Sequence, residues 1–454
     1  MDLETNALLT GYVGALSAQI RKEYRISEDY YADDSVKRGL RNMDGSGVVA
    51  GVSKIGSVQG YYFSDGARVP TPGHLYYRGY DVEDIVAAHR RDNTFGYEEV
   101  AYLLLCGQLP DRMQMDMFNQ AMSRSKSLPT GFFEKEIFGS QSSNIMNNLA
   151  RCILALYAYD SNPDDNSLDN VLLQSIKLIA RVPTIVAQSY AMKRHYFDHD
   201  SLYIHNPKEQ LSAAENFLRL IRRDKSYTDS EAKLLDTLLM LHAEHSGGNN
   251  SAFTCRSVSS TGSDTYSAIA AAVGSLKGPL HGGANAAVMG MIADIRANVR
   301  DVRDDDEVGA YLDKLLDGKA GDGSGKLYGL GHAVYTISDP RCVILKGFIR
   351  EVAEEKGMTE EVEIAERIER LGIPKIMERK GKSTPICANV DLYSGLVYSL
   401  LGIPGDLYTP LFAVARVSGW CAHRMEEICT GCRIMRPAYR SAVEHREYVP
   451  IEDR

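Results

Sequence analysis

The residues able to do chemistry in this chain gather in five short stretches. "GSLKGPLHGGANAAVMGMI", residues 274–292, sets His281 between a Gly–Pro break and two glycines. "LMLHAEHSGGNNSA" closes an apolar helix pattern with His242 and His245. "KLYGLGHAVYTISDPR" puts His332 after Gly-Leu-Gly and Arg341 nine residues further on. "PICANVDLYSGLVYSLLGIP" starts an apolar helix at Asp391. "LYTPLFAVARVSGWCAHRMEEI" carries Arg416 inside an apolar helix face, and Arg436 follows in "IMRPAYR". Four of the five stretches have a plain alternative, and His332 in its glycine loop has no strong one. His281 could be an exposed turn residue. The His242/His245 pair could serve a helix C-terminus. Asp391 could be an N-cap, and Arg416 half of a buried ion pair.

Together the stretches suit one reaction: carbon–carbon bond formation between an acyl thioester and a dicarboxylic keto acid. A thioester α-proton is a very weak acid. Asp391 can remove it only where a preorganised donor holds the developing enolate oxygen. His281, at a helix N-terminus where the dipole disfavours imidazolium, suits that donor role. The keto carbonyl needs polarising, a role open to His332 or His245. Its two carboxylates need planar bidentate partners, which arginine supplies and lysine does not. This chemistry requires no metal.

The elements that must position these residues are mostly helices. Residues 1–42 read as a polar helical arm. Residues 45–80 are rich in Val, Ile and Tyr cut by Gly and Pro, so a small sheet of short strands is expected there. From residue 81 onward apolar residues recur at helical spacing, as in "VLLQSIKLIARVPTIVAQSYAM". Val182-Pro183 and Gly278-Pro279 predict bends or ends. Residues 297–382 are far more charged and read as solvated helix faces of a smaller domain inserted in a larger one.

A length of 454 residues suggests two domains. The apolar share of 44% and charged share of 24% describe a soluble globular protein. A net charge of −9 argues against nonspecific nucleic-acid binding but leaves room for small anionic substrates. The N-terminus lacks the pattern of a signal or transit peptide. No run of 18 apolar residues exists, so no membrane span is expected. The eight scattered cysteines suit reduced thiols in the cytoplasm. Cys421 and His423 are two apart on a helix and point to different sides, which argues against zinc. "GDGSGKLYGLGH" fails both phosphate-loop patterns, because Ala320, Lys326 and Leu327 stand where glycine, glycine and Ser/Thr would be needed.

From "GHLYYRGYDVEDI" at 73 to "YVPIEDR" at 448–454 the sequence resembles the citrate synthase family. "FGYEEVAYLLLCGQLP", "LHAEHSGGNNS", "GPLHGGAN", "GLGHAVYTISDPR", "ANVDLYSG" and "FAVARVSGWCAHRMEE" carry the likeness, in order and spacing. The resemblance implies a mostly α-helical, two-domain fold with a small β-rich segment near the N-terminus. Its large domain would be residues 1–282 and 403–454, and its small closing domain 283–402. It implies His281 as enol stabiliser on acetyl-CoA, Asp391 as α-proton base and His332 as acid on the oxaloacetate carbonyl. His245, Arg341 and Arg416 would bind oxaloacetate. Arg436 would reach the neighbouring subunit's oxaloacetate in a homodimer. The backbone at Leu330, Gly331, Ala333 and Val334 would cradle coenzyme A, a substrate rather than a permanent cofactor. The small residues around His281 would let the thioester approach closely. Leu330 and Thr336 depart from the family pattern, and Lys326 or Lys382 would replace the basic residue usual at 336 in holding the coenzyme A phosphates. The first 45 residues have no counterpart. The implied enzyme is cytoplasmic and bacterial, with no nucleic-acid or membrane partner. Whether acetyl-CoA or propionyl-CoA is the donor, making citrate or 2-methylcitrate, stays open.

Overall fold

The computed structural model describes residues 3–33, 35–65, 67–381 and 385–454. They form two compact units, Met1–Ala50 with Arg436–Arg454, and Gly51–Met435. In the terminal unit, helix α1 (Leu3–Glu23) is followed by a single 3-10 turn at Glu28–Tyr31. The helical arm expected over 1–42 therefore ends at Glu23. Beyond it short polar side chains bond their own backbone, as Asp33 Oδ1 accepts from Ser35 N at 2.9 Å and Asp44 Oδ1 from Ser46 N at 2.8 Å. Such bonds compete with helix.

The larger unit opens with an antiparallel sheet of β1 (Gly56–Ser64), β2 (Ala67–Tyr77) and β3 (Tyr80–Asp81), in that order. It starts later than the expected residue 45. Among the described residues fifteen α-helices follow: α2 (Val82–Asp92), α3 (Tyr97–Cys106), α4 (Arg112–Ser125), α5 (Ile145–Leu156), α6 (Leu168–Phe197), α7 (Ala213–Ile221), α8 (Asp229–His242), α9 (Asn250–Ser259), α10 (Thr265–Lys277), α11 (Ala284–Asn298), α12 (Asp305–Leu316), α13 (Pro340–Lys356), α14 (Thr359–Lys380), α15 (Val390–Leu400) and α16 (Tyr408–Cys429).

The core gathers around α16, which packs against α3, α6, α8, α9 and α10. Trp420 and Arg416 on α16 are among the largest fully buried side chains. Pro183, where a bend or an end was expected, does not end a helix. It lies buried within α6, where flanking helices support the turn whose hydrogen bond proline removes. Among the described residues α6 is also long and apolar enough to cross a membrane, but 67% of that window is buried inside the fold. Packing marks it as a core helix. The charged stretch forms solvated helix faces, as expected. Arg379 pairs with Asp313 and Asp317, and Arg367 and Arg370 with Asp305, while Val362, Ile364, Ala365 and Ile368 of α14 turn inward.

Candidate active site

Helix α10 stops at Lys277, and the chain turns at once, with His281 N and Gly282 N both donating to Gly278 O at 2.9 and 3.0 Å. A Cβ at Gly282 would overlap Leu276 O, and one at Gly283 would lie 2.6 Å from Pro279 O. These two glycines are therefore required by the turn's own backbone. Thr409 Oγ1 donates to Gly282 O at 2.8 Å and ties the turn to α16.

The turn holds His281 against α9. Ser251 N, one of the free amides at the start of α9, donates to His281 Nε2 at 3.3 Å. Ser251 Oγ lies 3.0 Å from the same nitrogen, receives Trp420 Nε1 at 3.1 Å and donates to Asn249 Oδ1 at 2.9 Å. An Nε2 that accepts an amide leaves the proton of the neutral ring on Nδ1. Burial, helped by the Arg416 charge, lowers the His281 pKa to about 4, so the ring is neutral near pH 7.

His332 stands in a loop stitched to the start of α15. Gly331 N donates to Cys387 O at 2.7 Å, Asn389 N to Gly329 O at 2.9 Å, and Asn389 Nδ2 to Gly331 O at 2.9 Å. Gly329 adopts φ +82°, and a Cβ there would lie 2.8 Å from Leu392 Cβ. From the other side the sheet presses in. A Cβ at Gly60 would lie 2.6 Å from Val334 O, and one at Gly73 would overlap Ser338 O. Thr336 Oγ1 donates to Gly60 O at 2.7 Å, so this departure from the family pattern has a structural use. His332 Nδ1 accepts Val334 N at 3.0 Å and Tyr335 N at 3.1 Å, which puts the proton on Nε2. Burial and then Arg341 lower its pKa to about 4. Its ring stacks on Tyr335 at 4.5 Å and meets His245 edge-on at 5.3 Å. Both histidines are thus neutral donors with defined tautomers, on opposite ring nitrogens.

Asp391 is the second residue of α15, and its amide is capped by Asn389 Oδ1 at 3.0 Å. Burial raises its pKa to about 6, against the pull of Arg341 and Arg416. The cations differ from one another. Arg341 forms a fork with Asp339, Nε to Oδ1 at 3.0 Å and Nη2 to Oδ2 at 2.7 Å. Asp339 also accepts Arg341 N at 3.0 Å and Val390 N at 3.1 Å, so it joins the first turns of α13 and α15. Arg341 therefore already has an anionic partner in Asp339. Arg416 spends Nε on His242 O at 2.6 Å, and its Nη2 is buried with no hydrogen-bond partner among the described residues. Burial lowers its pKa to about 10, so it stays charged near neutrality. His245 Nε2 and both ring nitrogens of His242 are buried without partners too. The Arg416 charge acts on His242, His245, His281 and Asp391, and that of Arg341 on His242, His245, His332 and Asp391. Six of the sequence-selected residues, His245, His281, His332, Arg341, Asp391 and Arg416, thus share one electrostatic neighbourhood.

Ser251, Asp339 and Tyr335 belong to this arrangement and were not anticipated. Asp339 had a readable signal, because an Asp before Pro340 is a helix start. Ser251 and Tyr335 had none.

The family model for the citrate synthase C-terminal domain matches residues 42–438. The chain belongs to the citrate synthase family. Relatives in that family include citrate synthases of Acidithiobacillus ferridurans, 36% identical with 90% of this chain and 97% of that one covered, and of Synechocystis, 33% identical with 90% and 93% covered. A 2-methylcitrate synthase of Corynebacterium glutamicum is 33% identical over 93% of this chain and all of its own. The fold is similar to a Thermoplasma acidophilum citrate synthase solved as a ternary complex with carboxymethyl coenzyme A and oxaloacetate. Its TM-score is 0.74 at 28% identity, with 93% of this chain and 100% of that one covered.

The residues that the citrate synthase resemblance assigns to coenzyme A are less clearly gathered. A Cβ at Gly372 would lie 2.6 Å from Leu330 Cδ1, so the Leu330 side chain packs on α14 and leaves its backbone as the available surface. Gly331 has open space where a side chain would be, Ala333 is exposed and Val334 half-buried. Lys326 is exposed. Lys382 lies outside the described residues. Arg436 belongs to the terminal unit and is exposed, so it is not among the residues that the larger unit brings together.

Proposed function

We propose that this chain condenses acetyl-CoA with oxaloacetate and hydrolyses the resulting thioester, giving citrate and coenzyme A. It would thus be an acyltransferase that turns the acyl group into an alkyl group on transfer. Asp391 takes the α-proton of the thioester. His281 Nδ1–H holds the enolate oxygen that forms, and the enolate carbon attacks the keto carbon of oxaloacetate. His332 Nε2–H polarises that carbonyl and supplies the proton to the new hydroxyl. Water then cleaves the thioester. Arg416 Nη2 and His245 Nε2 offer buried donors to the oxaloacetate carboxylates, with Arg341 held alongside by Asp339.

The observation that supports this reading is the protonation pattern. Two neutral imidazoles with fixed tautomers stand with one carboxylate of raised pKa, and the buried Arg416 keeps an unused N–H. A base near the operating pH with donors ready for charge that develops is what proton abstraction next to a carbonyl needs. The relatives also leave room for a second reading: some carry the name 2-methylcitrate synthase, at 33% identity. One methylene is worth only about 1–3 kcal/mol of discrimination. A thiol-release assay with oxaloacetate and either acetyl-CoA or propionyl-CoA decides between them. Release with neither would overturn both.

In the same reading residues 283–402 close over the substrates, and Arg436 of each chain completes the keto-acid site of its partner in a homodimer. The backbone at Leu330, Gly331, Ala333 and Val334 cradles coenzyme A, with Lys326 or Lys382 at its phosphates. All eight cysteines are free and five are buried, which fits a cytoplasmic setting.

A further inference from the structure

Behind the site lies a second polar cluster that the proposed reaction does not use. Glu244 sits between Ala243 and His245 in the turn after α8, and it and His423 are completely buried. His423 Nε2 lies 2.9 Å from Glu244 Oε1, and His423 Nδ1 lies 3.2 Å from Arg256 Nη1. A guanidinium can only donate, so Nδ1 is the acceptor and Nε2 carries the proton. His423 therefore donates to Glu244 as a neutral ring. Arg256 is itself fixed by Glu426 at 2.6 Å and Glu427 at 3.0 Å.

Three glycines make room for this pair. A Cβ at Gly419 would overlap Ala243 O and lie 2.5 Å from Glu244 Oε2. One at Gly56 would lie 2.8 Å from Glu244 Cγ, and one at Gly247 would lie 3.3 Å from His423 Cε1. Arg416 and His423 are seven apart on α16 and share a helix face. That face meets the turn after α8 twice, through Arg416 Nε on His242 O and through His423 on Glu244.

We propose that Glu244, held by the Arg256–His423 pair, is a positioning residue that fixes the turn after α8 and so aims His245 at the keto acid. The inference rests on the reading that His245 binds oxaloacetate. It assigns Glu244 no contact with substrate. A buried hydrogen bond to a charged group is worth enough to hold one backbone conformation over another.

The test measures oxaloacetate affinity calorimetrically, beside kcat and KM for both substrates. His423→Gln keeps an acceptor for Arg256 and a donor for Glu244, whereas His423→Leu keeps neither. H423L should weaken oxaloacetate binding about tenfold or more, the effect of roughly one lost hydrogen bond. H423Q should stay within about threefold of wild type, and acetyl-CoA KM should hardly change in either. Because H423L leaves a carboxylate buried without its donor, the double variant E244L/H423L serves where it fails to fold. It should show the same selective loss. Glu244→Gln, which can still accept from His423, should bind oxaloacetate nearly normally. Equal losses in H423L and H423Q, or unchanged oxaloacetate affinity in a folded H423L or in the double variant, overturn the inference alone. Wild-type protein that does not bind oxaloacetate overturns the functional reading and this inference with it.

Discussion

Asp391 is asked to be charged in a place that disfavours charge. In the proposed reaction it is the base, and its pKa of about 6 should set the acid limb of activity. Because the base acts only when deprotonated, kcat/KM should fall as pH drops through about 6. His281 and His332 stay neutral down to about 4 and should add nothing above that. The same shift has a stability sign. A carboxylate raised from 3.8 to about 6 by burial opposes folding at pH above 6, and that penalty vanishes below pH 3.8. Asp391→Asn should therefore lose about 10²–10⁴ in turnover while melting higher than wild type at pH 8. The gain, at most about 3 kcal/mol, should shrink toward pH 4. A variant with normal turnover, or one that melts lower at pH 8, contradicts this account of Asp391. His281→Ala should cost about 10²–10³ in turnover, since one enolate donor is removed. Steady-state kinetics with oxaloacetate affinity measured in parallel checks this, because the affinity should hold.

The helices explain both what could be read in advance and what could not. Residue types and order located His281, His332, Asp391 and Arg416, since each stands out against a glycine loop or an apolar helix face. Long apolar periodicity located the helices themselves. Pro183 misled because its tolerance depends on neighbours that pack on α6, which no local pattern reports. The backbone need for glycine at 282 and 283 was not readable, because backbone crowding and ligand access leave the same trace in a sequence. Gly60 and Gly73 left no readable signal, although they admit the loop that carries His332. Gly73→Ala should lower both stability and kcat, as its Cβ has no space against the 338 backbone. Differential scanning calorimetry and initial rates test the pair. Far from the site, about 16 Å back along α8 from His242, Glu231 joins Arg222 at 2.6 Å and Lys356 at 2.5 Å. Burial alone would raise its pKa, but Arg222, Lys356 and the Thr228 amide overcome this and hold it at about 2. This group stabilises the fold above pH 4.5, and the contribution fades as pH falls toward 2. Glu231→Gln should therefore lower stability by about 3 kcal/mol at pH 7, with the gap to wild type closing in acid. Denaturant melts at pH 7 and pH 3 read that difference.

On the scale of the whole molecule, the proposed closure of residues 283–402 would make the two proposed substrates help each other. Acetyl-CoA should bind more tightly when an oxaloacetate analogue is present, and reciprocally by the same factor. Titrations in both orders check it. The homodimer proposal has a counting test. Arg436→Ala and Asp391→Asn, each inactive alone, are unfolded together and refolded as a mixture. Half the dimers are mixed, and in each of these one site carries both defects and the other none. Activity should return to about 25% of wild type, by twofold symmetry. Recovery near zero, with mixed dimers confirmed by native mass spectrometry, places Arg436 in its own chain's site or outside any site. Within the larger unit, Asp339 joins the first turns of α13 and α15. At their other ends Lys356 reaches Glu231, and Arg222, which grips Glu231, also donates to Leu401 O at 2.6 Å. The two helices run parallel, pack side by side and are clamped top and bottom. They form a rigid strut rather than two levers. Arg341 and Asp391 are joined through Asp339, so we expect them to move together in any rotation that closes the proposed site. Amide hydrogen exchange should show this directly: protons in α13 and α15 should be released in one cooperative opening, and Glu231→Gln should speed both helices alike.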